Sequence, residues 1–406
     1  MPMRLAERPA VVALLIAIAA QCLFTVYLSR PSGLVFDEVH YVPAARAMLT
    51  LAHPANTEHP PLAKQLIAIG IALFGDNAVG WRALSTLAGT ATVASGFALL
   101  MLLFGSVRTA ALGALLVAVN QTVFVQARIA MLDGFLGAFV TGGLAATLWA
   151  ARAPAGRRGL RIALAGVLLG GAVAVKWAAA PYVALACTAL LFADRRRPTA
   201  GVALAIPLGL IAVAVYFATF IPTFFYAADA NSPSTLIALQ QRMYDAQTQV
   251  LRPHPYQSDW WSWPLMIRPI WYYYEPDQGV LRGVLLLGNP VVMWGGLVGV
   301  AACLWAGLRG HRGYLMLAGL WLFSIGIWAA IPKSLGFYYY YHLSGVFAAL
   351  ACAGALRLLP LRLRWVEGAF AVLAVAMFAG FYPIISGAPL ADPQDFNRWM
   401  WFDSWR

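Results

Sequence analysis

Residues 9–41 read PAVVALLIAIAAQCLFTVYLSRPSGLVFDEVHY, and they decide the class of this protein. They open with about twenty apolar residues, enough for a helix to cross the hydrocarbon core of a bilayer. Asp37 and Glu38 follow a few residues later. Two adjacent carboxylates at a membrane boundary are costly unless they are solvated, paired or used in function. The stretch therefore predicts a retained membrane helix followed by a polar site.

The whole chain has the composition of a polytopic membrane protein. Of its 406 residues, 61% are hydrophobic and 11% are charged, and the mean hydropathy is +0.72. We predict an all-α fold of about eleven transmembrane helices, with amphipathic juxtamembrane helices in the first outer loop. The predicted apolar segments are 9–29, 79–104, 109–126, 131–150, 161–175, 178–193, 200–222, 284–306, 314–331, 343–359 and 366–386.

The net charge of +12 is best explained by membrane topology. If the N-terminus is cytoplasmic and the loops alternate, the inner side holds fifteen arginines against three acidic residues, and the outer side is balanced. The positive-inside rule then sets the orientation. We therefore expect a bacterial inner-membrane protein whose elaborated loops face the periplasm, and we do not expect nucleic acid as a partner.

One transmembrane domain, 1–406, is predicted, with its length concentrated in three outer segments. The first loop, 30–78, contains two amphipathic stretches, 38–51 and 61–74. The others are an aromatic-rich loop, 223–282, and a tail, 387–406. Nearly all the unusual polar groups of the chain fall on this outer face. This distribution predicts an active site at the boundary between membrane and periplasm.

Asp37 and Glu38 allow two interpretations. One is a catalytic base, a carboxylate that removes a proton from an attacking hydroxyl. The other is an exposed helix start, where acidic residues interact favourably with the helix dipole. Adjacent residues on a helix point in different directions, so we expect one of the two to meet substrate.

The motif HPPLAK, 59–64, contains His59 and Lys64. Its prolines suit the first turn of a helix. A lysine beside a helix N-terminus can bind phosphate. The alternative is a simple loop-to-helix junction, with Lys64 extending toward lipid headgroups.

Four charged residues stand at the predicted ends of membrane helices. Arg82 and Arg128 are typical of residues that anchor a helix end at the membrane interface. For Arg128, an ion pair with Asp133 is an alternative. Asp133, one turn into an apolar helix, needs a partner or a function. Lys176 precedes Trp177 and fits the aromatic belt. The chain has three lysines, at 64, 176 and 333, and all fall on the outer side.

Aromatic residues dominate the later outer segments. Arg268 lies among them and could neutralise a lipid phosphate. Tyr339 and His342, in the run YYYYH, could contribute hydrogen bonds to the same phosphate, but an aromatic belt explains both regions as well.

Metal and nucleotide motifs are missing from the sequence. Cys22, Cys187, Cys303 and Cys352 lie in apolar segments without paired spacing, which favours buried small side chains over disulfides. No phosphate-binding glycine loop and no GxSxG motif occurs. We expect no cofactor and no divalent metal, and an activated donor that arrives within the membrane.

Six motifs together resemble the bacterial branch of the protein O-mannosyltransferases, which use a polyprenyl- or dolichyl-phosphate-mannose donor and have the C-type glycosyltransferase fold. The resemblance covers about residues 34–342. The motifs are FDEVHY (36–41), HPPLAKQLIAIG (59–70), WRALSTLAGT (81–90), ARIAMLDGFL (127–136), GAVAVKWAA (171–179) and HPYQSDWWSWPLMIRPIWYYYE (254–275).

The resemblance implies roles for individual residues. Asp37 would be the general base, and Glu38 would support it or help bind the acceptor. The remaining candidates for substrate or donor binding are His59, Lys64, Arg82, Asp133, Lys176, Arg268, Tyr339 and His342.

The implied reaction is an inverting transfer of mannose from a polyprenyl-phosphate-mannose donor to Ser or Thr hydroxyls of exported proteins. The partners would be the lipid-linked donor, a protein or peptide acceptor and membrane lipids. The alternative is transfer to a lipid or envelope glycan, as in the related aminoarabinose transferases. A transporter is disfavoured, because no internal repeat is visible and the polar groups lie at one face instead of the middle of the membrane.

Overall fold

The computed structural model describes residues 8–192, 198–331 and 333–406, which form a mostly helical protein with one small sheet. Arg4, Glu7 and residues 194–197, which the predicted charge distribution includes, lie outside the described residues. The helices are α1 (Pro9–Thr25), α2 (Glu38–Leu49), α3 (Leu62–Phe74), α4 (Ala78–Phe104), α5 (Val107–Ala118), α6 (Gln121–Gln126), α7 (Leu132–Ala151), α8 (Arg158–Val175), α9 (Ala180–Leu191), α10 (Pro198–Ala218), α11 (Leu236–Thr248), α12 (Pro290–Leu308), α13 (Arg312–Ala330), α14 (His342–Leu356) and α15 (Trp365–Ile385).

Helices occupy all eleven predicted apolar segments. Within the described ranges, seven helices are long and apolar enough to cross a membrane: Ala78–Phe104, Leu132–Ala151, Arg158–Val175, Thr199–Phe225, Pro290–Leu308, Arg312–Ala330 and Leu361–Ile385. The helices α1, α5, α9 and α14 have 17 residues or fewer. The polytopic helical fold is therefore confirmed, and the count of eleven crossings stays a prediction.

The first outer loop forms the two predicted short helices. α2 begins directly after Asp37, and α3 begins after the proline pair of the HPPLAK motif. Pro61 is the N-cap of α3, just outside the first turn, where the amide hydrogen that proline lacks is not needed for an intrahelical bond. The DE and HPPLAK motifs thus both lie at helix N-termini.

Two predicted segments differ from the structure in detail. The segment 109–126 breaks at Asn120, whose side chain accepts a hydrogen bond from the backbone N of Thr122 at 3.3 Å and starts α6. The segment 284–306 begins its helix later, at Pro290, after Asn289 caps the helix. In both places an asparagine at the N-cap position favours a new helix start.

A three-stranded antiparallel sheet, which the sequence prediction did not include, joins two outer segments. Its strands are β1 (Ile270–Asp277), β2 (Val280–Leu286) and β3 (Pro389–Leu390), in the order β1-β2-β3. The hairpin turn, Gln278–Gly279, has positive φ at both residues, as a tight turn between twisted strands requires. The sheet therefore fastens the aromatic-rich loop to the C-terminal tail.

Helix direction brings the candidate residues to one end of the bundle. α7 starts at this end and α8 returns to it, because the two helices pack against each other and are joined by a short connection. α13 ends there and α14 begins there. At the opposite end, Arg108 forms an ion pair with Glu367 at 2.6 Å. The candidate outer face is thus a common end of helices that are distant in sequence.

We expect Gly80→Ala to destabilise the protein by about 1–3 kcal/mol, the usual cost of overpacking. A Cβ at Gly80 would lie 1.9 Å from the backbone oxygen of Gly75, where α3 packs against α4. Thermal unfolding in detergent would measure the effect. Gly319→Ala in α13 is the control, because a Cβ there meets nothing within 4 Å. Equal melting temperatures for the two variants would contradict this close packing.

Candidate active site

Glu38 and Arg82 form the central ion pair of the first loop, and both side chains are fully buried. Arg82 Nε donates to Glu38 Oε1 at 2.8 Å, and Arg82 Nη2 donates to Glu38 Oε2 at 2.7 Å. The backbone N atoms of Val35 and Ala130 donate to the same carboxylate at 2.8 and 2.7 Å. Each oxygen of Glu38 therefore accepts two hydrogen bonds.

Arg82 also organises the chain between α1 and α2. Its guanidinium donates to the backbone carbonyls of Pro31 at 2.7 Å, Gly33 at 2.8 Å and Leu28 at 3.3 Å. A planar guanidinium can make this many directed bonds at once. Arg82 and Glu38 thus hold the loop that leads into Asp37, and neither lines the cavity described next.

Asp37 faces an open cavity of about 270 Å³ on the outer end of the bundle. Its carboxylate takes part in no ion pair among the described residues, and the nearest hydrogen-bond donor recorded for it is the hydroxyl of Tyr41, at 3.4 Å. Burial raises the pKa of Asp37 above its ordinary value, and the charges of His40 and Lys176 oppose this rise. Glu38 is therefore a buried structural residue, whereas Asp37, one position earlier, lines the cavity.

The cavity walls come from three regions of the chain that are far apart in sequence. The first loop contributes residues 37–41 and 56–59, the end of α11 and the residues after it contribute 246–251, and the segment before α14 contributes 333–340. The lining residues are Asp37, His40, Tyr41, Asn56, Glu58, His59, Ala246, Gln247, Gln249, Leu251, Lys333, Ser334, Leu335, Phe337, Tyr339 and Tyr340.

Asp133 and Lys176 form a second buried ion pair. Lys176 Nζ lies 3.0 and 3.1 Å from the two carboxylate oxygens of Asp133. The ammonium also lies 5.2 Å from the ring centroid of Tyr339 and 4.7 Å from that of Tyr340. These cation–π contacts place the Lys176 ammonium directly behind two aromatic side chains that line the cavity.

The suggested Arg128–Asp133 pair is wrong. Arg128 instead donates to the backbone carbonyls of Phe24 at 3.0 Å, Val26 and Tyr27 at 3.2 Å. These carbonyls belong to the end of α1, where the last turn of a helix leaves acceptors without intrahelical partners. Arg128 is therefore a cap for α1.

His59 and Lys64 have different positions around the HPPLAK turn. His59 lines the cavity, and its Nδ1 lies 3.3 Å from Gln247 Nε2. Burial lowers the pKa of His59 well below its ordinary value, and neighbouring lysines add to the effect. Lys64 is buried, with its ammonium donating to the backbone oxygens of Asn56 and, at 2.7 Å, His59. Lys64 thus braces the turn that presents His59.

The remaining candidates divide between the cavity and its surroundings. Tyr339 lines the cavity. His342, the first residue of α14, is buried beside Asp133 in a smaller adjoining space. Arg268 donates to the backbone oxygens of Pro255, Ser404 and Arg406 at 3.0–3.3 Å, and it does not line the cavity. Its contacts hold the tail against the aromatic-rich loop.

Sequence reasoning did not select several cavity residues as site candidates. They are His40, Tyr41, Gln247, Lys333 and Tyr340. One signal was available for Lys333: it is one of the three lysines in an arginine-rich chain, and all three lie around this site. Gln247 had no comparable signal, because it stands in a helix of ordinary polar residues.

Two family models match consecutive parts of the chain. Residues 74–228 match the model described as dolichyl-phosphate-mannose-protein mannosyltransferase. Residues 233–405 match the model described as the C-terminal four-TMM region of protein-O-mannosyltransferase. The chain belongs to the protein O-mannosyltransferase family.

Curated relatives agree with the family models over nearly the whole chain. A polyprenol-phosphate-mannose--protein mannosyltransferase of Mycobacterium tuberculosis (strain CDC 1551 / Oshkosh) is 29% identical, with 92% of this chain and 86% of the relative covered. An enzyme of the same name from Mycolicibacterium smegmatis (strain ATCC 700084 / mc(2)155) is 27% identical, with 100% and 94% covered. The resemblance seen in the motifs is confirmed.

Solved structures support the C-type glycosyltransferase fold predicted for this protein O-mannosyltransferase. The Saccharomyces cerevisiae Pmt1-Pmt2 complex bound to the sugar donor gives a TM-score of 0.83 at 15% identity, covering 100% of this chain and 93% of the matched chain. ArnT from Cupriavidus metallidurans bound to undecaprenyl phosphate gives 0.61 at 18% identity, covering 93% and 66%.

Proposed function

We propose that this family member is an inverting polyprenyl-phosphate-mannose--protein mannosyltransferase that glycosylates Ser and Thr hydroxyls of exported proteins. The family membership and the curated relatives support the reaction class. The observation that carries the residue assignment is a contrast between the two acids. Glu38 is buried in an ion pair, whereas Asp37 faces the cavity and has no ion pair with any residue that the structure describes.

The chemistry follows from a free carboxylate in a partly buried setting. Asp37 removes the proton of the attacking Ser or Thr hydroxyl while the hydroxyl oxygen bonds to C1 of mannose. The bond between C1 and the phosphate oxygen breaks, and polyprenyl phosphate leaves with the bonding electrons. A base with a raised pKa is better matched to neutral pH than an ordinary aspartate.

The site would work at the periplasmic face of a bacterial inner membrane. Two features support this placement: the candidate residues share one end of the bundle, and the arginine-rich loops lie at the other. The lipid-linked donor would enter from the bilayer and the protein acceptor from the water. That the reaction needs no metal or cofactor stays a prediction.

The direct test is transfer of radiolabelled mannose from polyprenyl-phosphate-mannose to a Ser/Thr-rich peptide by the purified protein. Labelled peptide would support the proposal. Label that appears in a membrane-lipid extract but not in the peptide would favour a lipid or glycan acceptor. Absence of donor turnover with both acceptors would contradict the enzyme assignment.

Tyr41→Phe should move the acid limb of the pH–rate profile to higher pH. The Tyr41 hydroxyl donates to ionised Asp37 and so lowers the pKa of the carboxyl. Its removal disfavours the ionised base, although a 3.4 Å bond is long enough that we expect a shift of less than about one pH unit. The kcat/KM of transfer, measured against pH, checks this. A shift to lower pH would contradict the contact.

A further inference from the structure

The cations around the cavity differ in whether their charge is already matched. Arg82 is paired with Glu38, and Lys176 is paired with Asp133. Lys64 and Arg268 donate to backbone carbonyls and lie off the open wall of the cavity. These groups are occupied by the fold itself.

Lys333 is different. It follows α13 in the segment that leads to α14, it is half-buried, and it lines the same cavity as Asp37. Its Nζ donates to the neutral Gln247 Oε1 at 2.8 Å, and among the described residues no carboxylate lies within 4 Å of it. An ammonium group has three donor hydrogens, so this contact leaves two for a ligand.

Gln247 holds Lys333 against the first loop. Its Nε2 donates to the backbone oxygen of Glu58 at 2.8 Å and lies 3.3 Å from His59 Nδ1, while its Oε1 accepts from Lys333. One glutamine therefore connects α11, the HPPLAK turn and the segment before α14. The Lys333 ammonium is therefore held by a side chain that is itself fixed to the first loop.

The surroundings of Lys333 favour an anion. Lys333 Nζ lies 5.8 Å from the ring centroid of Tyr340, on which Lys176 also rests at 4.7 Å. Burial lowers the pKa of Lys333 to about 8, with Lys176 adding to the effect. A bound anion would stabilise the charged ammonium, because an opposite charge at short distance favours the ionised form.

We propose that Lys333, positioned by Gln247, binds the phosphate of the lipid-linked sugar donor and stabilises the phosphate as it departs. The role that sequence reasoning gave to Lys64 thus passes to Lys333. The inference rests on the proposed function, which requires a phosphate beside the base Asp37. Negative charge grows on the leaving phosphate in the transition state, and a preorganised cation is most effective against that charge.

The presence of three lysines makes amine footprinting a sharp test. The wild-type protein is treated with a water-soluble amine-acylating reagent, and modification of each lysine is measured by mass spectrometry. Lys64 and Lys176 are 2% and 6% exposed, so we expect Lys333 to react most.

Polyprenyl phosphate should protect Lys333, and polyprenol without phosphate should not. Equal protection by polyprenol, or none by polyprenyl phosphate, would overturn the proposal. Equal protection by inorganic phosphate at the same concentration would mean that the site binds soluble phosphate, and it would also overturn the proposal.

Variants separate this inference from the proposed function. Lys333→Gln should raise the Kd for polyprenyl phosphate by about 10- to 100-fold, the range expected for a hydrogen bond to a charged group. It should raise the KM for donor but not for peptide, and it should lower kcat, because stabilisation of the departing phosphate is lost as well. Lys333→Arg should recover much of the affinity. Arg242→Gln is the control, since Arg242 is exposed on α11 and does not line the cavity.

The phosphate-binding role of Lys333 and the proposed function would be contradicted by different results. If the wild type transfers mannose and Lys333→Gln binds polyprenyl phosphate normally, the inference fails and the proposed function stands. If polyprenyl phosphate binds through Lys333 but no sugar is transferred to a peptide, the inference of a phosphate-binding site stands and the assignment of a protein acceptor fails.

Discussion

Asp37→Asn is expected to reduce mannosyl transfer by about 10²- to 10⁴-fold, the usual contribution of a general base. Asparagine has nearly the same shape and can still accept a bond from Tyr41, but it cannot take the acceptor's proton. The loss should appear in kcat with little change in the binding of polyprenyl phosphate. Asp245→Asn is the control, because Asp245 is exposed on α11 and does not line the cavity. A variant with near-wild-type kcat would remove Asp37 from the mechanism.

Stability should distinguish loss of the base from loss of the fold. The folded-state pKa of Asp37 is raised, so its favourable contribution is present below the unfolded pKa and is lost as pH rises through the folded pKa. At neutral pH the ionised carboxylate therefore opposes folding. Asp37→Asn should melt at the same temperature as the wild type or slightly higher. A clear drop would mean that Asp37 is structural.

The same titration predicts the acid limb of the pH–rate profile. The base is active when ionised, so transfer should fall as pH drops through the raised pKa of Asp37. The midpoint should lie above about 4, the ordinary value for an aspartate. Measurement of kcat/KM against pH for wild type and Asp37→Asn checks this, and an acid limb retained in the variant would point to another group.

Arg82→Met should have the largest effect on stability, a loss of about 3–5 kcal/mol. The substitution leaves the buried Glu38 side chain without its cation, and it removes the donor from three loop carbonyls. The free energy of unfolding in detergent, or the melting temperature, measures the loss. Because this loop leads directly into Asp37, mannosyl transfer should fall together with stability.

The exposed pair Arg46–Asp76 supplies a matched control. Its atoms lie 2.8 Å apart, but its side chains are 41% and 47% exposed. Arg46→Met should cost less than about 1 kcal/mol, as is usual for surface pairs. The double variant Glu38→Gln/Arg82→Met should recover part of the loss, since no unpaired charge remains. If Arg82→Met is as stable as Arg46→Met, the buried network does not support the loop.

The alternation of apolar and arginine-rich segments was enough to predict a polytopic helical protein, because membrane insertion depends on local composition. The six motifs identify the family, and the DE and HPPLAK motifs identify Asp37, Glu38, His59 and Lys64 as candidate site residues from the sequence alone. The small sheet was not expected, because strands β1 and β2 consist of the same aromatic and aliphatic residues as a membrane interface.

Which charges face each other depends on the tertiary packing. Glu38 and Arg82 are 44 residues apart, Asp133 and Lys176 are 43 apart, and Gln247 and Lys333 are 86 apart. Partners at such separations depend on which helix ends meet, and no local pattern records that. Local composition is enough to predict a cluster of charged residues at one end of a membrane bundle. The packing of α2, α4, α7, α8 and α11 pairs Glu38 with Arg82 and Asp133 with Lys176. Among the described residues it leaves Asp37 without an ion pair and gives Lys333 the neutral Gln247 as its partner.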